Sequence, residues 1–288
     1  MAKGTPYIKY LSALLLFGLN GVVAGHIALP STEIVVLRSL LGTLFLLTVF
    51  LITRQRFTCL RQPRQLALVA VSGAAMGLSW LCLYRAYELI GVSIATLLYY
   101  CGPVLVMALS PLFFKERLTL PKLAGIAVVF GGVVMLNGIS GGTLGAAGLL
   151  CGLGGAALYV VMVITNKKAG LPGLENTVVQ LLSAFLITAL FHVLRGGAVP
   201  ISVPSGDWGW MVLLGIVNTG FGCWLYFSSI GSLPVQTVSV CGYLEPLSAV
   251  FFSVLLLHEQ LTPIRWLGAA MVLGGAMLAE FVHPHARK

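Results

Sequence analysis

Tyr243-Leu244-Glu245-Pro246, followed twelve residues on by His258-Glu259-Gln260-Leu261-Thr262, decides how this chain folds. Glu245 is the only charged side chain in the 50 residues from Trp208 to Leu257. A carboxylate in so apolar a run is costly to keep there without a partner or a task. The same markers stand 143 residues earlier, as Pro103 and Lys115-Glu116-Arg117-Leu118-Thr119. At that one offset Pro103 falls on Pro246, Glu116 on Glu259, Leu118 on Leu261, Thr119 on Thr262, Gly125 on Gly268, and Gly131-Gly132 on Gly274-Gly275. The chain is a duplicated unit with one acid added to one copy.

Composition fixes the class around this repeat. The 288 residues are 58% hydrophobic and 9% charged, and the mean hydropathy is +1.00, which excludes a soluble domain of this size and defines a polytopic membrane protein. The apolar runs lack the ten-residue alternation of an outer-membrane strand, so they read as helices. A membrane-crossing helix needs about 20 residues. The sequence divides into ten such pieces, near 8–28, 32–53, 66–88, 92–114, 120–139, 144–166, 174–195, 208–230, 235–257 and 263–282. With the N-terminus inside, 13 of the 17 Lys and Arg fall on the cytoplasmic side and only Arg38, Arg85, Arg195 and Arg265 on the other. Short basic loops stay in the cytoplasm, so both termini are expected there, in a bacterial inner membrane. The net charge of +9 is on this reading a topogenic signal, and no nucleic-acid partner is expected. The first apolar run is too long for a signal peptide, and removing it would leave the first unit one helix short. The six cysteines form no CxxC and mostly fall inside the predicted helices, where a thiol packs as a small apolar group, so neither metal, disulfide nor cofactor is expected.

Each unit, 7–139 and 144–282 with a tail at 283–288, holds five helices. Five is odd, so the second copy must enter the bilayer upside down relative to the first. Such inverted repeats are how many secondary transporters build a central site that opens to either face. Pro103 and Pro246 are expected to kink helices four and nine and to free the carbonyls of Tyr99 and Gly242 toward a shared interior space, or else to serve packing alone. Thr262 before Pro263, and Thr119 before Pro121, read as helix starts. Glu116 and Glu259 lie at loops on opposite faces and suit fixing helix ends or a gate, and the paired glycines suit close helix packing.

The segments Ser79-Trp80-Leu81-Cys82-Leu83-Tyr84-Arg85-Ala86-Tyr87 through Pro103 to Thr119, and Leu225-Tyr226-Phe227 through Glu245-Pro246 to Thr262, resemble the two repeats of an EamA-type member of the drug/metabolite transporter superfamily. The resemblance covers nearly the whole chain. It implies a ten-helix inverted-repeat fold with helices 1–4 and 6–9 around a cavity and helices 5 and 10 peripheral, and a cargo among amino acids, other metabolites or drugs.

Glu245 falls about 15 Å from either end of its predicted helix, too deep to reach water. It is expected to line the cavity and take a proton or the amino group of a substrate, or alternatively to stay neutral in a bond to a neighbouring helix. Tyr99, on the repeat-partner face with Ala95 and Gly102, offers a phenol opposite the acid, whereas Tyr100 and Tyr243 point elsewhere on a regular helix unless the proline kinks turn them. Asn20, Ser79 and Asn218 are polar mid-helix groups, ligands or interhelical bonds alike. Trp80 and Trp224 lie deep enough to wall a cavity, and Trp208 and Trp210 read as interfacial anchors. Arg38 and Arg85 are placed to reach the interface, Arg38 as a candidate for the outer mouth and Arg85 as an i,i+3 partner of Glu88. The chain contains no GxxxxGK[ST] and no HExxH, so neither an ATP-driven pump within one chain nor an intramembrane protease is expected. The expectation is a secondary carrier for a small organic metabolite, with the lipid bilayer and protons as its other partners, working as a monomer or homodimer. A multidrug exporter of the same fold, or a non-transporting receptor, is the alternative.

Overall fold

In a computed structural model of the chain, which describes residues 5–114, 119–137, 145–171, 173–230, 233 and 241–281, every regular element is helical. The helices fall into ten successive spans. The first is Thr5–Gly18 and Asn20–Gly25, the second Ser31–Ile52, the third Pro63–Ile90, the fourth Val92–Tyr99 and Cys101–Phe114, and the fifth Leu120–Asn137. The sixth is Ala146–Ala169, the seventh Gly173–Leu194, the eighth Trp208–Val212 with Leu213–Phe221 and Gly222–Ile230, the ninth Leu244–Leu256 and the tenth Pro263–Phe281. Seven of these are long and apolar enough to cross a membrane, and Lys122–Leu136, Leu244–Leu256 and Pro263–Leu278 are shorter apolar helices. Residues 234–240, where the sequence begins the ninth span, the loop acid Glu116 with Arg117, and the tail at 283–288 lie outside the described residues.

Local chemistry explains the helix starts. Pro63 and Pro263 open the third and tenth spans, at the position where a missing N–H goes unneeded. Thr262 accepts the Arg265 N–H through its hydroxyl at 3.4 Å and the Trp266 N–H through its carbonyl at 3.0 Å. Thr119 differs: its carbonyl accepts the Leu123 N–H, but its buried hydroxyl meets no partner among the described residues.

The two internal prolines do something sharper than bend their helices. The fourth span breaks between Tyr99 and Cys101 and the ninth restarts at Leu244 after Tyr243, equivalent positions of the two repeats. Pro103 and Pro246 thereby stand at the third residue of a new helix, where the first-turn N–H groups have no carbonyl to reach. The eighth span carries a second irregularity, nine residues in π geometry from Leu213 to Phe221.

Packing between spans shows the pseudo-twofold order. The third span packs on the sixth as the first packs on the eighth; the fourth packs on the sixth as the first on the ninth; the third packs on the seventh as the second on the eighth. The pairs second with seventh, fourth with ninth and fifth with tenth are their own counterparts. Exchanging each span with the one five further on maps these pairs onto one another. Two like bundles result, one of spans one, two, eight and nine, the other of spans three, four, six and seven. The fifth and tenth spans lie against each other beside them. There the glycines meet backbone: a Cβ on Gly132 would stand 2.8 Å from the Gly268 carbonyl oxygen, and one on Gly275 2.9 Å from that of Gly125. No other residue permits that approach without displacing a helix.

Candidate functional site

A cavity of about 610 Å³ lies between the two bundles. Glu245, in the first turn of the restarted ninth helix, lines it half-buried. The break in the fourth span lies at Tyr100, which lines the same cavity. Tyr99 lines the cavity beside Tyr100, its hydroxyl 3.4 Å from that of Ser79 and its ring edge-on to Tyr159. Asn20 enters from the first span, just past the interruption at Leu19, and its buried Oδ1 has no hydrogen-bond partner among the described residues. Its neighbour Gly18 packs on the ninth span, where a Cβ would stand 3.1 Å from the Glu245 carbonyl oxygen.

Arg38 forms the other pole. It is only 3% exposed, with its guanidinium over the rings of Trp80 at 4.5 Å and Tyr84 at 5.1 Å. Its Nε donates to the Thr219 hydroxyl at 3.2 Å and its Nη1 to the Tyr84 hydroxyl. The Thr219 hydroxyl in turn donates to the Leu214 carbonyl, five residues back, at 2.8 Å, a reach that belongs to the π turn. Arg38 therefore does not extend to the interface as its position in the sequence suggests. Two aromatic faces and two hydroxyls hold it inside.

The cavity ends differently in its two directions. Toward the C-terminal end of the sixth span it reaches the exposed Lys167 past a reciprocal amide pair, Asn166 with Asn176 at 3.2 and 3.3 Å, and past Gln180, whose amide donates to Ser72 at 2.7 Å. At the opposite end Tyr84 and Tyr87, ring centroids 5.1 Å apart, separate it from a smaller space of about 340 Å³. Beyond that partition the bundles are tied together. The Val92 and Ser93 N–H groups donate to the Glu259 carboxylate at 2.5 and 2.9 Å, and the Ser93 and Ser253 hydroxyls meet at 2.5 Å, while within one bundle the Ala28 N–H donates to Asp207 at 2.7 Å. Glu259 thus fixes the start of the fourth span, where two free N–H groups and the positive helix end favour an anion. Glu88 accepts the Ser31 N–H at 2.7 Å while pairing with Arg85 at 2.5 Å.

The structure brings Glu245, Arg38, Asn20, Tyr99, Trp80 and Pro103 to the cavity wall. It leaves five of the expected residues out of the lining. Ser79 is buried behind Tyr99, bonded to the Met76 carbonyl at 2.7 Å. Asn218 is buried beside Thr219, its Nδ2 without a partner. Trp224 stacks on Phe221 and carries the Lys9 ammonium at 5.2 Å. Tyr243 belongs to the core shared by the fourth, fifth, ninth and tenth spans, and Pro246 is buried. Trp210 stacks on His26 at 4.6 Å near the tied end. The wall residues absent from the expectation include the tyrosines Tyr84, Tyr87, Tyr159 and Tyr226. Tyr84 and Tyr87 follow Trp80 at i+4 and i+7, one face of one helix, so their spacing was readable; Tyr100 and Thr219 depend on irregular backbone and were not.

Two like bundles, threaded from duplicated five-span units and enclosing a mixed polar and aromatic cavity that reaches the surface at one end, define a membrane transporter rather than an enzyme. The chain belongs to the EamA-like transporter family of the drug/metabolite transporter superfamily, which it matches over residues 5–138 and 146–281. It is similar to the uncharacterized transporter YxxF of Bacillus subtilis, at 28% identity over 96% of this chain and 89% of that protein. It is also similar to the uncharacterized transporter YetK of the same organism, at 23% identity over 93% and 84%. The threonine/homoserine exporter RhtA of Escherichia coli is 25% identical over 84% of this chain and 79% of its own length. One solved crystal structure shares the fold, with a TM-score of 0.68 at 22% identity over 97% of this chain and 98% of that one.

Proposed function

We propose that this protein is a secondary active exporter of a small organic metabolite bearing an amino group, an amino acid or amine, coupled to protons through Glu245. The observation that carries the reading is Glu245 itself: a carboxylate on the wall of a cavity, at the start of a restarted helix and in ion-pair contact with no cation among the described residues. One carboxylate cannot hold a proton and an ammonium group at once. Each therefore expels the other, and a site open alternately to two sides exchanges them. The similarity to RhtA, an exporter of two amino acids by name, supports the same cargo class. With both termini in the cytoplasm, as the Lys and Arg distribution predicts, the end tied by Glu259 is the outer one and the cavity reaches toward the cytoplasm, where an exporter loads.

The test is flux in proteoliposomes under an imposed pH gradient, with Glu245→Gln beside the wild type. Losing a charge-assisted contact of about 1.5–3 kcal/mol corresponds to a roughly ten- to hundredfold loss of cargo affinity. The variant is also expected to lose its response to the gradient. Unchanged, gradient-driven flux in Glu245→Gln sinks the reading. The aromatic wall of Trp80, Tyr84, Tyr87, Tyr99 and Tyr159 favours one competing cargo, lipophilic compounds without an amine; these would be moved equally by both proteins.

A further inference from the structure

Resting on the transporter reading, we propose that Arg38 is the residue that selects the cargo: its guanidinium receives a carboxylate, while Glu245 and the Asn20 amide oxygen receive an ammonium group, so that the cavity takes compounds bearing both charges. A guanidinium carries five N–H donors. In Arg38 the recorded partners are two hydroxyls, of Thr219 and Tyr84, and two ring faces, all of them neutral. Nη2 has no recorded protein acceptor among the described residues. Arg85 and Glu88 form the one ion pair found there, so Arg38 and Glu245 stand more than 4.0 Å apart although both line one cavity.

Burying a cation and an anion separately costs far more than burying them as a contact pair. The chain nonetheless holds them apart, and it does so with built structure. The π turn of the eighth span delivers the Thr219 hydroxyl to Arg38, Trp80 and Tyr84 clamp the guanidinium plane, and the break before Leu244 brings Glu245 to the wall. A third, independent group lies at the same wall: Asn20 lines the cavity, and its buried Oδ1 is an acceptor with no hydrogen-bond partner among the described residues. Gly18, two residues before it, packs against the Glu245 backbone, which puts the first span beside the anionic pole. The gap between the poles is thus complementary to a molecule with an ammonium group at one end and a carboxylate at the other. Tyr99, Tyr100 and Tyr159 beside it offer ring faces to an apolar or neutral side chain.

Counterflow in proteoliposomes with three matched sets of compounds tests this. The amino acids alanine, leucine and phenylalanine are compared with the amines that lack their carboxylate (ethylamine, isoamylamine, 2-phenylethylamine) and with the acids that lack their amine (propionate, 4-methylpentanoate, 3-phenylpropionate). Wild type is expected to exchange at least one amino acid with an affinity about tenfold or more above its matched amine and acid, the worth of one charge-assisted contact. Arg38→Gln is expected to bring that amino acid down to the level of its amine while leaving the amine unchanged, and Glu245→Gln to bring it down to the level of the acid. Arg38→Lys retains the charge and restores part of the discrimination, which a merely structural role for the fork would not show. The comparison within wild type needs no variant to fold. Amines exchanged as well as amino acids by wild type, or amino acids handled normally by a folded Arg38→Gln, would overturn the assignment while leaving the carrier intact. Exchange of none of the nine overturns the assignment and the amine-exporter reading together.

Discussion

A single buried charge marks each pole of the cavity, and the two were legible for the same reason: in a run of apolar residues a charged side chain stands out, and its cost demands an explanation. What the sequence hid was the neighbour of each. Asn218 looks like the polar residue of the eighth span on a regular helix, yet the π turn over Leu213–Phe221 puts Thr219 on Arg38 and leaves Asn218 buried outside the cavity lining. Tyr100 was hidden likewise, since the break in the fourth span lies at its own position. Thr219→Val keeps the shape and removes the acceptor for the Arg38 Nε. It is expected to weaken cargo binding by about 1–2 kcal/mol, read as a roughly five- to thirtyfold rise in KM, with Thr219→Ser close to wild type. An unchanged KM in Thr219→Val would show that Arg38 is positioned by the aromatic faces alone.

At the level of helices, the repeat located both prolines but misjudged their effect. A proline deep inside a long apolar run reads as a kink; the structure instead begins a new helix two residues earlier, because the first turn asks nothing of its N–H groups. The paired glycines were read as packing, and the structure distinguishes their members. Gly132, Gly268 and Gly275 touch backbone across the fifth and tenth spans, whereas a Cβ on Gly274 would meet nothing within 4 Å. Gly132→Val is therefore expected to destabilise the protein by about 1–3 kcal/mol through overpacking, seen as a lowered Tm in detergent, while Gly274→Ala leaves Tm unchanged. Equal Tm values for the two would mean that the fifth and tenth spans do not pack through these glycines.

For the whole molecule, the ties at the Glu259 end are the device that keeps one mouth shut. The Ser93 and Ser253 hydroxyls, 2.5 Å apart on the fourth and ninth spans, belong to different bundles. Replacing both by cysteine should give a disulfide on mild oxidation that stops transport, with thiol reduction restoring it; full transport by the oxidised protein would show that this end never opens. The division of labour between the bundles goes further. Glu245, Arg38, Asn20 and Thr219 all come from spans one, two, eight and nine, while Trp80, Tyr84, Tyr87, Tyr99, Tyr100 and Tyr159 come from spans three, four and six. On the proposed reading, a passenger gripped at both charged ends by one bundle stays seated on it while the rings of the fourth and sixth spans slide past. Flat ring surfaces suit that sliding, since stacking tolerates sideways displacement in a way that a fork of hydrogen bonds does not. The seat should then govern how tightly cargo is held, and the wall how fast it crosses.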